Sequence, residues 1–148
     1  MEKGQYSKED KKLMCLTRST LNSSRLVELI NFIKLNKYSK IGIANCFSVN
    51  ALAEKLKEIL KAEGIEAISV NCKESKLDAS ELSSEMSGPS CDPISQAQYL
   101  NKENTDFNIN FGLCLGHGLI FQKYSNAPVT TLLVKDACHK HNIVENFL

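Results

Sequence analysis

The sequence has almost no net charge: 18 Lys plus Arg stand against 17 Asp plus Glu, a balance of +1, and only Arg18 and Arg25 are arginines. So little arginine leaves few bidentate phosphate clamps and little counterion release along a nucleic acid backbone. Nucleic acid is not an expected partner. No segment approaches the roughly 20 consecutive apolar residues of a membrane span, and the opening MEKGQYSKEDKK has no apolar signal region, so no membrane association and a cytoplasmic location are expected. Familiar motifs are missing too. There is no P-loop Gly-Lys-Ser/Thr, no Cys-x-x-Cys pair, and no arginine after Cys114 for a cysteine-phosphatase loop. Gly112, Gly116 and Gly118 follow an apolar run without forming the dinucleotide fingerprint, and make at most a weak anion cradle.

What is present is material for one domain: 148 residues, 43% of them hydrophobic, enough to bury a core without staples. Six cysteines therefore need a separate explanation: Cys15, Cys46, Cys72, Cys91, Cys114 and Cys138. A disulfide framework belongs to short exported chains, which leaves metal binding, thiol chemistry, or packing of buried cysteines as small hydrophobes.

Residues 24–37 carry Leu26, Val27, Leu29, Ile30, Ile33 and Leu35 mostly at helical spacing, with Ser23 or Ser24 able to cap the start. Residues 40–46, KIGIANC, form a short β-branched run that reads as a buried strand. Residues 49–63 place Leu52, Leu56, Ile59 and Leu60 on one stripe before Gly64, a helix with its stop. A second strand is expected over 65–72, then a polar loop over 73–90 with room for a short helix at 79–86. Asp92 as N-cap and Pro93 at the first helical position start a helix through 102. Residues 107–114 read as a strand, 118–124 as a short helix, 128–135 as a fourth strand, and 137–148 as one or two closing helical turns. Strands alternating with helices imply right-handed crossovers and a mostly parallel sheet. The expected fold is a Rossmann-like, three-layer α/β sandwich of about four strands over residues 23–148, preceded by a 22-residue arm that is loosely held or forms one extra helix.

In such a sheet ligands bind outside the carboxyl ends of the strands. Cys46, Cys72 and Cys114 end strands, and Cys91 immediately precedes a helix whose N-terminus can face the same edge, so four thiols are expected at one rim. A helix N-terminus favours the thiolate, the form that binds metal or attacks an electrophile. His117 lies three residues after Cys114, and this Cys-x-x-His step can place sulfur and imidazole around one borderline cation. Zinc takes four such ligands and an iron–sulfur cluster usually takes four thiolates. His141 can bind metal, exchange protons, or sit in solvent. Cys138 and His139 are weaker candidates, and the Lys135-Asp136 pair at the end of the fourth strand could bear on the site but reads first as a solvated ion pair worth little.

The segments CDPISQAQYLN from Cys91, TDFNINFGLCLGH from Thr105 and KYSNAPVTTLLVKD from Lys123 resemble the DUF1847 family. The family pattern has a cysteine after an Ile-Gly-Ile-Ala strand, then Cys-Lys, Cys-Asn-Pro-Ile, Gly-Leu-Cys-Val-Gly-His-Asp, and a Lys-Asp segment ending in His-Asn-Pro. Its positions fall on Cys46, Cys72, Cys91, Cys114, His117 and His141. The resemblance implies metal binding at these residues and names no reaction. The chain departs from the pattern at Ser48, at Glu74 and Ser75, at Gly118 and at Ile143, which alters the backbone and polar groups around the sulfurs while leaving the sulfurs themselves. Only Cys15 stands in for the family's cysteine-rich N-terminal segment.

The leading expectation is thus a protein that binds a metal ion or cluster, zinc or iron–sulfur, in sensing, metal handling or electron transfer, with a redox partner unnamed and a homo-oligomer open. The second is an enzyme with Cys114 as nucleophile and His117 or His141 as base. The third is an anion-binding module built on the glycine-rich turn.

Overall fold

The computed structural model describes residues 1–148, which divide into two compact units, Met1–Tyr38 and Ser39–Leu148. In the first unit, helix α1 (Lys8–Thr20) starts at a reciprocal cap: Ser7 Oγ accepts from Asp10 N–H and Asp10 Oδ2 accepts from Ser7 N–H. Of the two expectations for the N-terminal arm, the structure has the helix. Helix α2 (Arg25–Asn36) is capped by Ser24, buries Leu29, Ile30 and Ile33, ends where Lys37 turns left-handed at φ +59°, and packs on α1. The first compact unit thus holds both helices.

In the second unit, strands β1 (Lys40–Asn45), β2 (Glu66–Asn71), β3 (Phe107–Phe111) and β4 (Val129–Leu133) form one sheet in the order β2-β1-β3-β4, every pair parallel. Helix α3 (Asn50–Ala62) joins β1 to β2, helix α4 (Pro93–Lys102) joins β2 to β3, and helix α5 (Leu115–Tyr124) joins β3 to β4. The first crossover steps one way along the sheet and the other two step back. Right-handed connections therefore put α3 on one face, with α4 and α5 packed together on the other. This is the three-layer, Rossmann-like α/β sandwich. Ile41, Ile43 and Ile109 are fully buried in the central strands. Gly42 has no side chain because a Cβ there would lie 2.7 Å from Leu100 Cδ1 of α4 and strike the Asn108 amide.

Local chemistry explains several boundaries. Gly64 ends the α3 segment at φ +75°, a conformation L side chains rarely adopt. Asp92 caps α4 through Ser95 N–H, and Pro93 occupies the first turn, where its missing donor costs nothing. Strand β3 stops at Phe111 rather than reaching Cys114, since Gly112 turns the backbone at φ +71°. Cys114 consequently becomes the N-cap residue of α5, which starts earlier than its apolar pattern suggests. The 79–86 segment is only a short 3₁₀ turn, Ala79–Glu81, and the tail closes with another at Ile143–Phe147. No helix is long and apolar enough to cross a membrane.

Candidate functional site

Strand register assembles the site. Asn45 is level with Asn71 on β2 and with Phe111 on β3, so the next residues of these strands emerge on the same edge. The ladder runs one rung further on both sides of β1: Cys46 N–H donates to Phe111 O at 3.2 Å and Cys72 N–H donates to Asn45 O at 3.0 Å. Asp92 N–H then donates to Cys72 O at 2.7 Å, which pins the residue after Cys91 against the end of β2. Gln96, 1% exposed, holds α4 there from its first turns, its amide donating to Val70 O at 2.8 Å and Asn45 O at 3.2 Å.

The sulfurs that result are not equivalent. Cys46 and Cys72 are 5% and 2% exposed, Cys91 and Cys114 are half-buried, and Cys15 and Cys138 are exposed; none is in a disulfide. The thiol of Cys91 donates to Cys72 Sγ at 3.4 Å, and Phe47 N–H donates to the same sulfur at 3.3 Å. Cys46 Sγ is 3.1 Å from Ser48 Oγ. Lys135, two residues past the end of β4, donates from Nζ to Cys46 Sγ at 3.0 Å and to Cys114 Sγ at 3.5 Å. One ammonium therefore joins two of the thiols, and a sulfur–sulfur contact joins the other two.

These contacts separate the thiols' acidities. Burial opposes ionisation of Cys46, but the hydrogen bonds from Ser48 and Lys135 outweigh it and the thiol is lowered from its ordinary value. Burial pushes Cys72 up to about 12, reinforced by Cys91 and Cys46 and only partly opposed by the Phe47 N–H. Lys135 is raised, chiefly by its bond to Cys46. The edge thus pairs an ammonium with a buried thiol whose thiolate that ammonium helps to favour. Sequence reasoning passed over Lys135 as half of a solvated pair. Instead, Asp136 turns away to His139 Nδ1 at 3.0 Å and to Asn146, freeing Lys135 to face the sulfurs.

The histidines make no hydrogen bond to the four edge thiols. His117 lies in the first turn of α5 and makes no hydrogen bond to Cys114 or to any other sulfur. His141 adopts φ +66° and accepts from Asp136 N–H through Nδ1 at 3.0 Å, which fastens the tail. Neither hydrogen-bonds a thiol. Beside Cys114 is an open cavity of about 240 Å³, lined by Leu113, Leu119, Leu133, Asn110, Thr131 and Lys135 among others.

The donor chemistry fits a thiophilic ion. Two thiolates on one tetrahedral zinc, each at about 2.3 Å, lie about 3.8 Å apart, and the 3.4 Å between Cys72 and Cys91 is close to that spacing. No three His, Cys, Asp or Glu side chains are already set around a common point, so side-chain rotation would accompany binding.

Comparison with known proteins yields two matches. An uncharacterised protein of Methanocaldococcus jannaschii is 42% identical over 127 residues, covering 82% of this chain and 65% of the relative. The chain thus spans a little under two thirds of that protein's length. No solved structure matches. The profile described as protein of unknown function DUF1847 matches residues 2–132, which takes in all four edge cysteines, His117 and both compact units except the closing tail. On that match and that relative, the chain belongs to the DUF1847 family.

Proposed function

We propose that this chain is a metal-binding protein that holds zinc or an iron–sulfur cluster through Cys46, Cys72, Cys91 and Cys114, in a sensing, metal-handling or redox role. The observation that carries the reading is the convergence of four thiols on one sheet edge, from two strand ends and two helix starts, with Cys72 and Cys91 in sulfur contact and Lys135 hydrogen-bonded to both Cys46 and Cys114. Zinc there would supply a structural cross-link or a Lewis acid, and a cluster would supply one-electron transfer.

The chain's own residues prepare for such an ion. The Phe47 N–H donates to the Cys72 sulfur and so favours its thiolate form in part, as backbone donors do around metal thiolates. Lys135 offsets the negative charge that four thiolates bring together. Burial of Cys46 and Cys72 excludes water from half of the ligand set. His117 and His141 stay outside the four-sulfur set in this reading, His141 acting as a fastener of the tail. Six unpaired cysteines also suit the reducing cytoplasm.

The test is anaerobic purification followed by an absorption spectrum and analysis for zinc, iron and labile sulfide. Zinc near one per chain, or iron with sulfide and a broad visible band, is expected. A protein protected from oxygen that carries no metal, and takes up none on reconstitution, would sink the reading.

A second reading has its own observation: Cys114 borders the cavity and has the Lys135 ammonium at 3.5 Å, a setting for a nucleophilic thiol. It requires Cys114 to be the first thiol labelled by an electrophile before and after chelation, whereas a metal site protects several cysteines at once.

A further inference from the structure

We infer that Cys72 and Cys91 are a redox pair that closes to a disulfide when the protein meets a hydroperoxide or a low-molecular-weight disulfide. This goes beyond metal binding, because it needs only the two thiols and the backbone that positions them.

Two features make the pair ready. Its sulfurs are already 3.4 Å apart, where a disulfide needs about 2.05 Å. The backbones cannot drift apart, since Asp92 N–H donates to Cys72 O at 2.7 Å. The segment between the cysteines, 19 positions apart, is itself tied across its neck. Ala79 N–H donates to Gly88 O and Ser90 N–H to Leu77 O, both at 2.8 Å, and Ser75 Oγ donates to the Asp92 carboxylate at 2.7 Å. The other thiol near Cys72 has competing partners, as Cys46 is bonded to Ser48 and Lys135.

Exposure sets the order of events. Cys91 is half-buried and Cys72 is 2% exposed, so Cys91 meets the oxidant. Its sulfur attacks one peroxide oxygen and the O–O bond breaks. Cys91 becomes a sulfenic acid, while the thiol proton leaves with the other oxygen as an alcohol. Cys72 sulfur then attacks Cys91 sulfur; the S–S bond forms, the S–O bond breaks, and hydroxide departs with the Cys72 proton as water. Two thiols are oxidised by two electrons and one hydroperoxide is reduced. With a small disulfide as oxidant, Cys91 forms the mixed disulfide with loss of one thiol, and Cys72 displaces the second. A consequence that rests on the metal reading follows: closure withdraws two of four sulfurs, so oxidation releases the ion.

The test uses the full chain with Cys15→Ser and Cys138→Ser, which removes the two exposed thiols. The chelator-treated, reduced protein is exposed to hydrogen peroxide or oxidised glutathione, quenched by alkylation, and mapped by mass spectrometry. One Cys72–Cys91 bridge is expected, reversed by dithiothreitol and retained when Cys46→Ser or Cys114→Ser is added. A Cys46–Cys72 bridge, or Cys91 left as a stable glutathione adduct or sulfinic acid without a bridge, would overturn the inference. Zinc uptake by the reduced protein is measured in parallel. A bridge in a protein that takes up neither zinc nor, on reconstitution, iron and sulfide upholds the pair and removes the metal reading, whereas metal uptake without a bridge overturns the pair alone.

Discussion

Lys135 Nζ lies 3.0 Å from Cys46 Sγ, spanning from the end of β4 to the end of β1 with β3 between them. The bond ties two non-adjacent strands at the edge where the cysteines gather. It also favours the Cys46 thiolate against burial.

Replacing the ammonium tests that role. Lys135→Met is expected to raise the Cys46 thiol from its lowered value, because two of the effects that lower it come from Lys135. The ultraviolet thiolate absorbance of the metal-free protein should then appear at higher pH. Affinity for zinc should fall by about 10-fold, at the lower end of what loss of a supporting contact to ligands costs. An unchanged titration in Lys135→Met would contradict the electrostatic role.

The pH dependence has a definite sign. Cys72 is raised from 9.0 to about 12 on folding, so the native state resists its ionisation while the unfolded chain does not. Its contribution is fully present below about pH 9 and is lost as pH rises toward about 12. Cys46 works the other way, its depressed value favouring the folded state above the ordinary thiol range. Thermal melts of metal-free, reduced protein should show a decline above pH 9 that Cys72→Ala flattens. A decline of equal steepness in the variant would refute the assignment.

Chelation should lower the melting temperature of metal-loaded protein. An ion joining the ends of β1 and β2 with the starts of α4 and α5 contributes its binding free energy to folding. An identical melting curve after verified stripping would rule out a structural ion.

Gln96→Leu should destabilise the fold by about 1–3 kcal/mol, since it removes the donor held by Val70 O and one of the two serving Asn45 O inside the core. Urea unfolding measures the loss. Reduced disulfide formation between Cys72 and Cys91 should accompany it, because Gln96 anchors the helix that follows Cys91.

Gly42→Ala is expected to cost about 1–3 kcal/mol by overpacking, with Leu100 and Asn108 forced aside. A midpoint in urea equal to that of the parent protein would show that α4 yields without strain.

Much of the fold was legible because its signals are local. Alternating apolar runs marked the four strands, Asp92 with Pro93 marked the start of α4, and Gly64 marked the end of α3. The gathering of Cys46, Cys72, Cys91 and Cys114 on one edge was also readable, because parallel strands all end on the same side. The end of β3 was harder. Residues 107–114 look uniformly apolar, and only the positive φ of Gly112 separates the strand from the turn that makes Cys114 a helix cap.

The sequence by itself determined the order of strands and helices, since an alternation of apolar strands and amphipathic helices admits a parallel sheet and little else. It also determined the kind of chemistry available there, four sulfurs and a lysine. Strand order, register and side-chain direction decided who meets whom. Lys135 reaches Cys46 across 89 positions because β4 lies one strand beyond β3, and Asp136 is held by His139 and Asn146. Cys91 meets Cys72 because Asp92 N–H bonds the carbonyl of Cys72. Such contacts depend on tertiary closure of the chain, which no local pattern encodes.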